Sequence, residues 1–179
     1  MTLTDKTSVH YALSDSDINH ILEPDTKVQQ YRVLDNMHHI DELFDKLGRA
    51  VLLYSTDSPT SGHWVGLIKK GDTIEFFDPY GFKPDTQQYK LGEEIDNVAY
   101  EQHDHDLTRL LKESGYKVFY NTYPFQNFKK PEVATCGRWV SLRLYHYKKT
   151  LQWFYNQMKK SKLKNPDEWV TIQTNRLLL

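Results

Sequence analysis

Apolar residues change their spacing several times along this chain, and each change marks an element. "LSDSDINHILEP" repeats at three and four residues, with Ser14 or Asp15 as N-cap and Pro24 as stop, and predicts a short helix. "HIDELFDKLG" predicts a second helix ending at Gly48. The period then shortens. "AVLLYST" is an apolar run of strand length, and after the loop "DSPTSG" the segment "HWVGLIKKGDTIEFFDPYG" reads as two strands around a Lys-Gly-Asp turn. "GFKPDTQQYKLGEE" reads as loop, "HDLTRLLKESG" as a helix starting near Asp104 or Asp106 and ending before Gly115, and "KVFYNT" as another strand. From Cys136 onward Val140, Leu144, Tyr147, Leu151 and Phe154 recur at helical spacing and predict the longest helix. "NPDEWVTIQTNRLL" predicts the last one, with Asn165 as N-cap and Pro166 in the first turn. This order predicts an α+β fold: a central mixed or antiparallel β-sheet flanked by helices, with residues 1–179 as one domain.

Composition narrows the class. The 179 residues are 39% hydrophobic, 13% aromatic and 26% charged, the profile of a folded globular protein with a real core. The opening "MTLTDKTSVHYALSD" lacks the apolar core of a signal peptide, and no apolar run approaches the roughly 18 residues of a membrane span. No membrane partner is therefore expected. The single cysteine cannot form an internal disulfide, so folding should not depend on an oxidising compartment. A cytosolic, nuclear or intravirion setting is expected.

A net charge of −1 argues against a protein that coats nucleic acid over its whole surface. The charges are nevertheless uneven. Between Lys112 and Lys164 the acids are only Glu113 and Glu132, whereas the bases include Lys117, Lys129, Lys130, Arg138, Arg143, Lys148, Lys149, Lys159, Lys160 and Lys162. Two readings stay open: solvated helix faces, or a basic C-terminal half that touches DNA or an acidic partner.

The lone Cys136 falls in "EVATCGRWVSLRLYHY", at the first turn of a predicted helix. A helix N-terminus or a nearby cation lowers a thiol pKa from about 8.5 to roughly 3.5–7.5 and makes the sulfur nucleophilic. The alternative is a buried inert thiol. Gly137 beside it would let a substrate backbone approach. Eight histidines compete as its base. His146 lies ten residues along the same predicted helix, roughly 15 Å away. His10, His20, His38 and His39 read as surface residues, and His103 and His105 lie among solvated acids without a cysteine, so no metal site is expected. His63 opens a strand after a loop. If the hairpin turns at Lys70-Gly71, Asp78 lies directly opposite His63; if it turns at Gly71-Asp72, Asp78 opposes Val65. Both registers put Asp78 on the face of His63, about 5 Å or one diagonal step of 7–8 Å away. A carboxylate there can hold the imidazole tautomer, although the pair could equally be incidental. In "TYPFQNF", Gln126 is an amide donor that could reach the oxyanion of a tetrahedral intermediate.

Together "GHWVGLI", "FFDPYG", "YPFQN" and "TCGRW" resemble the adenain and Ulp/sentrin-type cysteine proteases, and "LSDSDINHIL" and "NPDEWVTIQT" resemble that family's terminal helices. The order His, acid, Gln, Cys differs from the Cys, His, Asn order of papain-like enzymes. "ATCGRWVSLRL" is most similar to the maturation proteases of large DNA viruses, virophages and related mobile elements, which process capsid proteins. The resemblance implies a cysteine-protease fold, with Cys136 as nucleophile, His63 as base and Asp78 as its orienting acid. It further implies an oxyanion hole from Gln126 and the Cys136 amide, and Trp64 covering the substrate backbone where the cleft favours glycine. The implied partner is a protein substrate, a capsid precursor, cut by a monomer without cofactor. Three features depart from the family pattern: the long spacer "QNFKKPEVATC", Thr135 where many members carry Asp, and no second cysteine for a disulfide-linked activating peptide. DNA-assisted activation stays open, as do three rival functions: an isopeptidase acting on ubiquitin-like proteins, an acyltransferase, and a DNA-binding or scaffold module.

Overall fold

Alternating side chains sort this protein into layers. In the computed structural model, which describes residues 7–23 and 25–179, the strands form one five-stranded sheet in the order β1-β2-β3-β4-β5. The expected stop at Pro24 and the first six residues of the opening segment lie outside the described residues. Strands β2 (Arg49–Ser58), β3 (Ser61–Lys70) and β4 (Thr73–Phe77) form the predicted antiparallel meander. The outer strands β1 (Lys27–Gln30) and β5 (Lys117–Tyr120) each run parallel to their neighbour, so the sheet is mixed. Lys70 faces Thr73, which selects Gly71-Asp72 as the turn. The "DSPTSG" loop is tighter than expected: β2 and β3 run through it until only Pro59 and Thr60 remain.

Along β2, Val51 and Leu53 face one side of the sheet and Ala50, Leu52 and Tyr54 the other. The first face carries α1 (Asp15–Leu22) and a C-terminal layer of α5 (Cys136–Tyr145), α6 (Leu151–Lys160) and α7 (Pro166–Leu178). The second is covered by 3₁₀ turns at Tyr31–Asn36 and Ile40–Leu43 and by α4 (Asp106–Glu113). Ser14 caps α1 in a full capping box: its hydroxyl accepts from the Asp17 amide, and the Asp17 carboxylate accepts from the Ser14 amide.

Three expectations need correction. "HIDELFDKLG" forms only the 3₁₀ turn Ile40–Leu43. The Asp45 carboxylate accepts from the amides of Leu47 and Arg49 at 2.8 Å each and so offers the backbone an alternative to helix. "GFKPDTQQYKLGEE" is not all loop; α2 (Gln87–Leu91) and the start of α3 (Glu94–Ala99) lie in it, joined where Asn97 Nδ2 donates to Gln88 O at 2.6 Å. The long helix after Cys136 is two helices. Arg143 terminates the first by donating to the carbonyls of His146 and Lys149 at 3.1 Å each, and Thr150 caps the second by accepting from the Trp153 amide.

Arg143 also meets Glu75 on β4 through Nε at 3.1 Å and Nη2 at 2.6 Å, both side chains being buried. Arg138 is buried as well, donating to Thr174 and Asn175 of α7. Two of the cations counted towards a basic C-terminal half are therefore core residues. Removing one partner of a buried pair strands the other charge. Arg143→Met is expected to cost about 3–5 kcal/mol in urea unfolding. Adding Glu75→Leu should recover much of that loss.

Candidate active site

His63 lies near the start of β3, and Asp78 follows the last residue of β4. The hairpin brings them together as expected: His63 Nε2 lies 2.7 Å from Asp78 Oδ1, with both side chains buried. The carboxylate is held from further sides. The Tyr80 amide donates to Oδ1 at 2.8 Å, and Gln87 Nε2 donates to Oδ2 at 2.5 Å. Asn121 fixes the backbone, accepting from the Asp78 amide at 2.9 Å and donating to its carbonyl at 2.6 Å. The parallel register that sets Phe76 opposite Tyr120 carries Asn121 to this place. The Tyr80 ring stacks on the imidazole, with centroids 4.1 Å apart and planes 6° apart.

Burial works against a charged His63, but the Asp78 carboxylate outweighs it through charge and hydrogen bonding. With a further push from the Cys136 sulfur, the imidazole pKa is raised from 6.5 to about 10. Nδ1, the nitrogen not bonded to Asp78, is buried and makes no well-formed hydrogen bond among the described residues.

Cys136 is the first residue of α5 and is 8% exposed. Helix α5 lies so close to β3 that a Cβ at Gly66 would stand 2.7 Å from Leu144 and 3.0 Å from Val140. Glycine at 66 thus sets the depth at which the thiol meets the imidazole. Gly137 has a packing role beyond the expected one: a Cβ there would come within 3.1 Å of both Leu13 and Trp64, so its bare face receives the indole. Trp64 spends its own N–H on Leu13 O at 3.2 Å. Beside it opens a groove of about 490 Å³ lined by Asp15, Gln29, Arg32, Val33 and Thr60 among others.

Gln126 is buried. Its backbone amide donates to Pro79 O at 3.0 Å and its Nε2 to Val133 O at 2.8 Å, while Oε1 has no hydrogen-bond partner among the described residues. These bonds tie the long spacer to both the Asp78 turn and the approach to Cys136. Val9 O holds the spacer's end by accepting from the Ala134 amide. Thr135 precedes the thiol but does not cap α5; its hydroxyl donates to Asp167 Oδ1 of α7 at 2.5 Å.

The remaining histidines stand apart. His10, His20, His38, His39, His103 and His105 are exposed, and His146 sits at the opposite end of α5, its ring 5.1 Å from Trp153. Sequence reasoning missed Tyr80, Gln87, Asn121 and Asp167. Tyr80 was legible from its place in "DPYG", a turn forced back against the hairpin. Asn121 required knowing that β5 pairs parallel with β4. For Gln87 and Asp167 the sequence carries no local signal, since each acts across a tertiary contact.

No family model matches the chain. It is 33% identical over 174 residues, 91% of this chain and 94% of the relative, to an uncharacterized protein, V9, of the Sputnik virophage. Among solved structures it is similar to the SUMO protease Ulp1 with its catalytic cysteine oxidized to a sulfinic acid, at 16% identity and TM-score 0.47 over 99% of this chain and 83% of that one. It is also similar to the ASFV pS273R protease, at 13% identity and TM-score 0.45 over 95% and 68%. Likeness at that level adds nothing to the site geometry, whereas the virophage relative matches nearly end to end. The chain belongs to the family of the Sputnik virophage protein V9.

Proposed function

We propose that this protein is a cysteine-type endopeptidase. The observation that carries the reading is the buried 2.7 Å bond between His63 and a carboxylate that two other donors also hold, with the Cys136 sulfur near enough to raise the basicity of the same ring. An imidazole this basic takes the thiol proton and leaves a thiolate at the start of a helix, where the first-turn amides favour negative charge. The thiolate attacks the scissile carbonyl carbon. His63 then gives its proton to the departing amine as the C–N bond breaks, leaving a thioester on Cys136. His63 next takes a proton from water, the hydroxyl adds to the thioester carbon, and the C–S bond breaks to release the acid. Asp78 keeps Nε2 occupied, so the other nitrogen works on the sulfur.

The Cys136 amide and Gln126 are assigned to the developing oxyanion. Supporting this, Gln126 is fixed between the Asp78 turn and the spacer, and Nε2 has a second hydrogen beyond the one spent on Val133. The groove beside Trp64 is assigned to the acyl side of an extended peptide, whose residue under the indole must be small. We assign viral precursor proteins, capsid precursors in particular, as substrates. Support comes from the likeness of "ATCGRWVSLRL" to maturation proteases and from a relative encoded by a virophage.

A peptide-library cleavage profile tests the reading. Cuts flanked by glycine on the acyl side are expected, at rates that do not change with chelator. Absence of any cleavage of peptides or coexpressed capsid precursor would overturn it. Reaction only with ubiquitin-like C-terminal electrophiles would replace it with the isopeptidase reading.

A further inference from the structure

Resting on the peptidase reading, we infer that Asp167 is a positioning residue for the nucleophile, thirty-one residues downstream and on another helix. It acts by holding the Thr135 hydroxyl away from the first-turn amides of α5.

A threonine at the N-cap position ordinarily turns its oxygen onto the amide of the second or third helical residue and neutralises the helix start. Thr135 occupies that position with φ −98° and ψ 2°, outside the extended backbone of a capping residue, and makes no such bond. Its hydroxyl instead donates to Asp167 Oδ1 at 2.5 Å, and Trp139 Nε1 donates to the same oxygen at 3.1 Å. All three residues are buried. Asp167 is itself fixed, since its amide donates to the Asn165 side chain that caps α7. The amides next to Cys136 are thus left without a side-chain cap at the point where a sulfur anion would need them. The backbone still closes behind the nucleophile, where the Trp139 amide donates to Thr135 O at 3.0 Å.

The thiol acts on His63 from β3 and Tyr80 from the turn after β4, Tyr80 also feels Asp78 and Asp167 from α7, and on α5 itself Arg138 faces Asp17 of α1. The charge of a carboxylate at Asp167 would by itself disfavour a thiolate. Removing it should then lower the thiol pKa if charge is its main influence. If its main influence is on Thr135, removal frees the residue to turn to extended backbone and cap the helix with its hydroxyl, and the thiol pKa rises. The two effects have opposite signs.

The test compares Asp167→Ala, Asp167→Asn, Thr135→Val and the double variant Thr135→Val/Asp167→Ala in the full chain. The readouts are kcat, KM and the pH dependence of Cys136 alkylation by iodoacetamide, with melting temperatures as a check on folding. Asp167→Ala is expected to lower kcat about tenfold with KM little changed and to shift the alkylation profile to higher pH. Asp167→Asn keeps an acceptor for Thr135 and Trp139 and should stay near the unsubstituted rate. The double variant, which has no hydroxyl to form the cap, should regain most of the activity. A downward shift of the alkylation profile in Asp167→Ala overturns the inference, as does a folded double variant no better than Asp167→Ala. Because alkylation does not require turnover, these outcomes can be read even if the unsubstituted protein cleaves nothing, a result that would count against the peptidase reading alone.

Discussion

Cys136→Ala is expected to abolish cleavage, lowering kcat by about 10⁴-fold or more, while the melting temperature changes by only a few degrees. The large effect follows from the absence of another thiol. Cys136 is the chain's only cysteine, and what would remain is oxyanion stabilisation and binding without covalent chemistry. The small structural effect follows from volume, because the change removes one sulfur from a side chain at the edge of the core. Assay of purified variant and unsubstituted protein on one peptide, with circular dichroism on both, decides the matter. Equal cleavage by the variant would end the peptidase reading and leave a binding or scaffold role to account for the fold.

Loss of the Asp78 carboxylate should be nearly as severe. Asp78→Ala is expected to cost about 10³–10⁴-fold in kcat/KM, because the imidazole loses both its tautomer lock and its stabilised cation. The pH profile carries the sharper signature. In the intact protein the His63 pKa is raised to about 10, so the imidazolium that must donate to the leaving amine persists well into alkali, and the basic limb of kcat/KM should fall near that pH. Without Asp78, burial pulls the pKa down against the push of the Cys136 sulfur alone, so the basic limb should move to lower pH. The same linkage governs stability. A pKa raised in the folded state means that the native protein holds the proton more tightly than the unfolded chain. The resulting stabilisation is complete below about pH 6.5 and is lost as pH rises towards 10. Urea midpoints measured from pH 6 to 10 should therefore decline, and the slope should flatten in Asp78→Asn. A midpoint that rises across this window would contradict the His63–Asp78 coupling.

How far the sequence reached depends on the range of the interactions involved. The hairpin of β3 and β4 was legible because period-two alternation and a Gly-Asp turn are local, and they sufficed to put Asp78 beside His63 in either register. The Ser14 and Asn165 caps were legible for the same reason. The segment from His39 to Gly48 was not, because Asp45 diverts its backbone donors within a few residues and outweighs a helical pattern. The helix break at His146 was missed because an apolar stripe continues across it, and only Thr150 hinted at a new start. The supports of the site lay furthest from reach: Gln87 comes from a segment read as loop, and Asp167 meets Thr135 across the helical layer. Arg138 and Arg143 looked like surface charge for a related reason. A sequence shows that a guanidinium is present, but not that Glu75 or Thr174 waits inside to receive it.

The order in which the parts leave the ribosome follows from the same architecture. His63 and Asp78 belong to one tight hairpin and can pair early, whereas Cys136 follows 58 residues after Asp78, and α7, whose Asp167 holds Thr135, follows later still. Domains mature from the N-terminus during synthesis, and distant pairings close slowly. On the peptidase reading, a nascent chain of this design is therefore expected to stay inert towards its neighbours on the polysome until α7 docks.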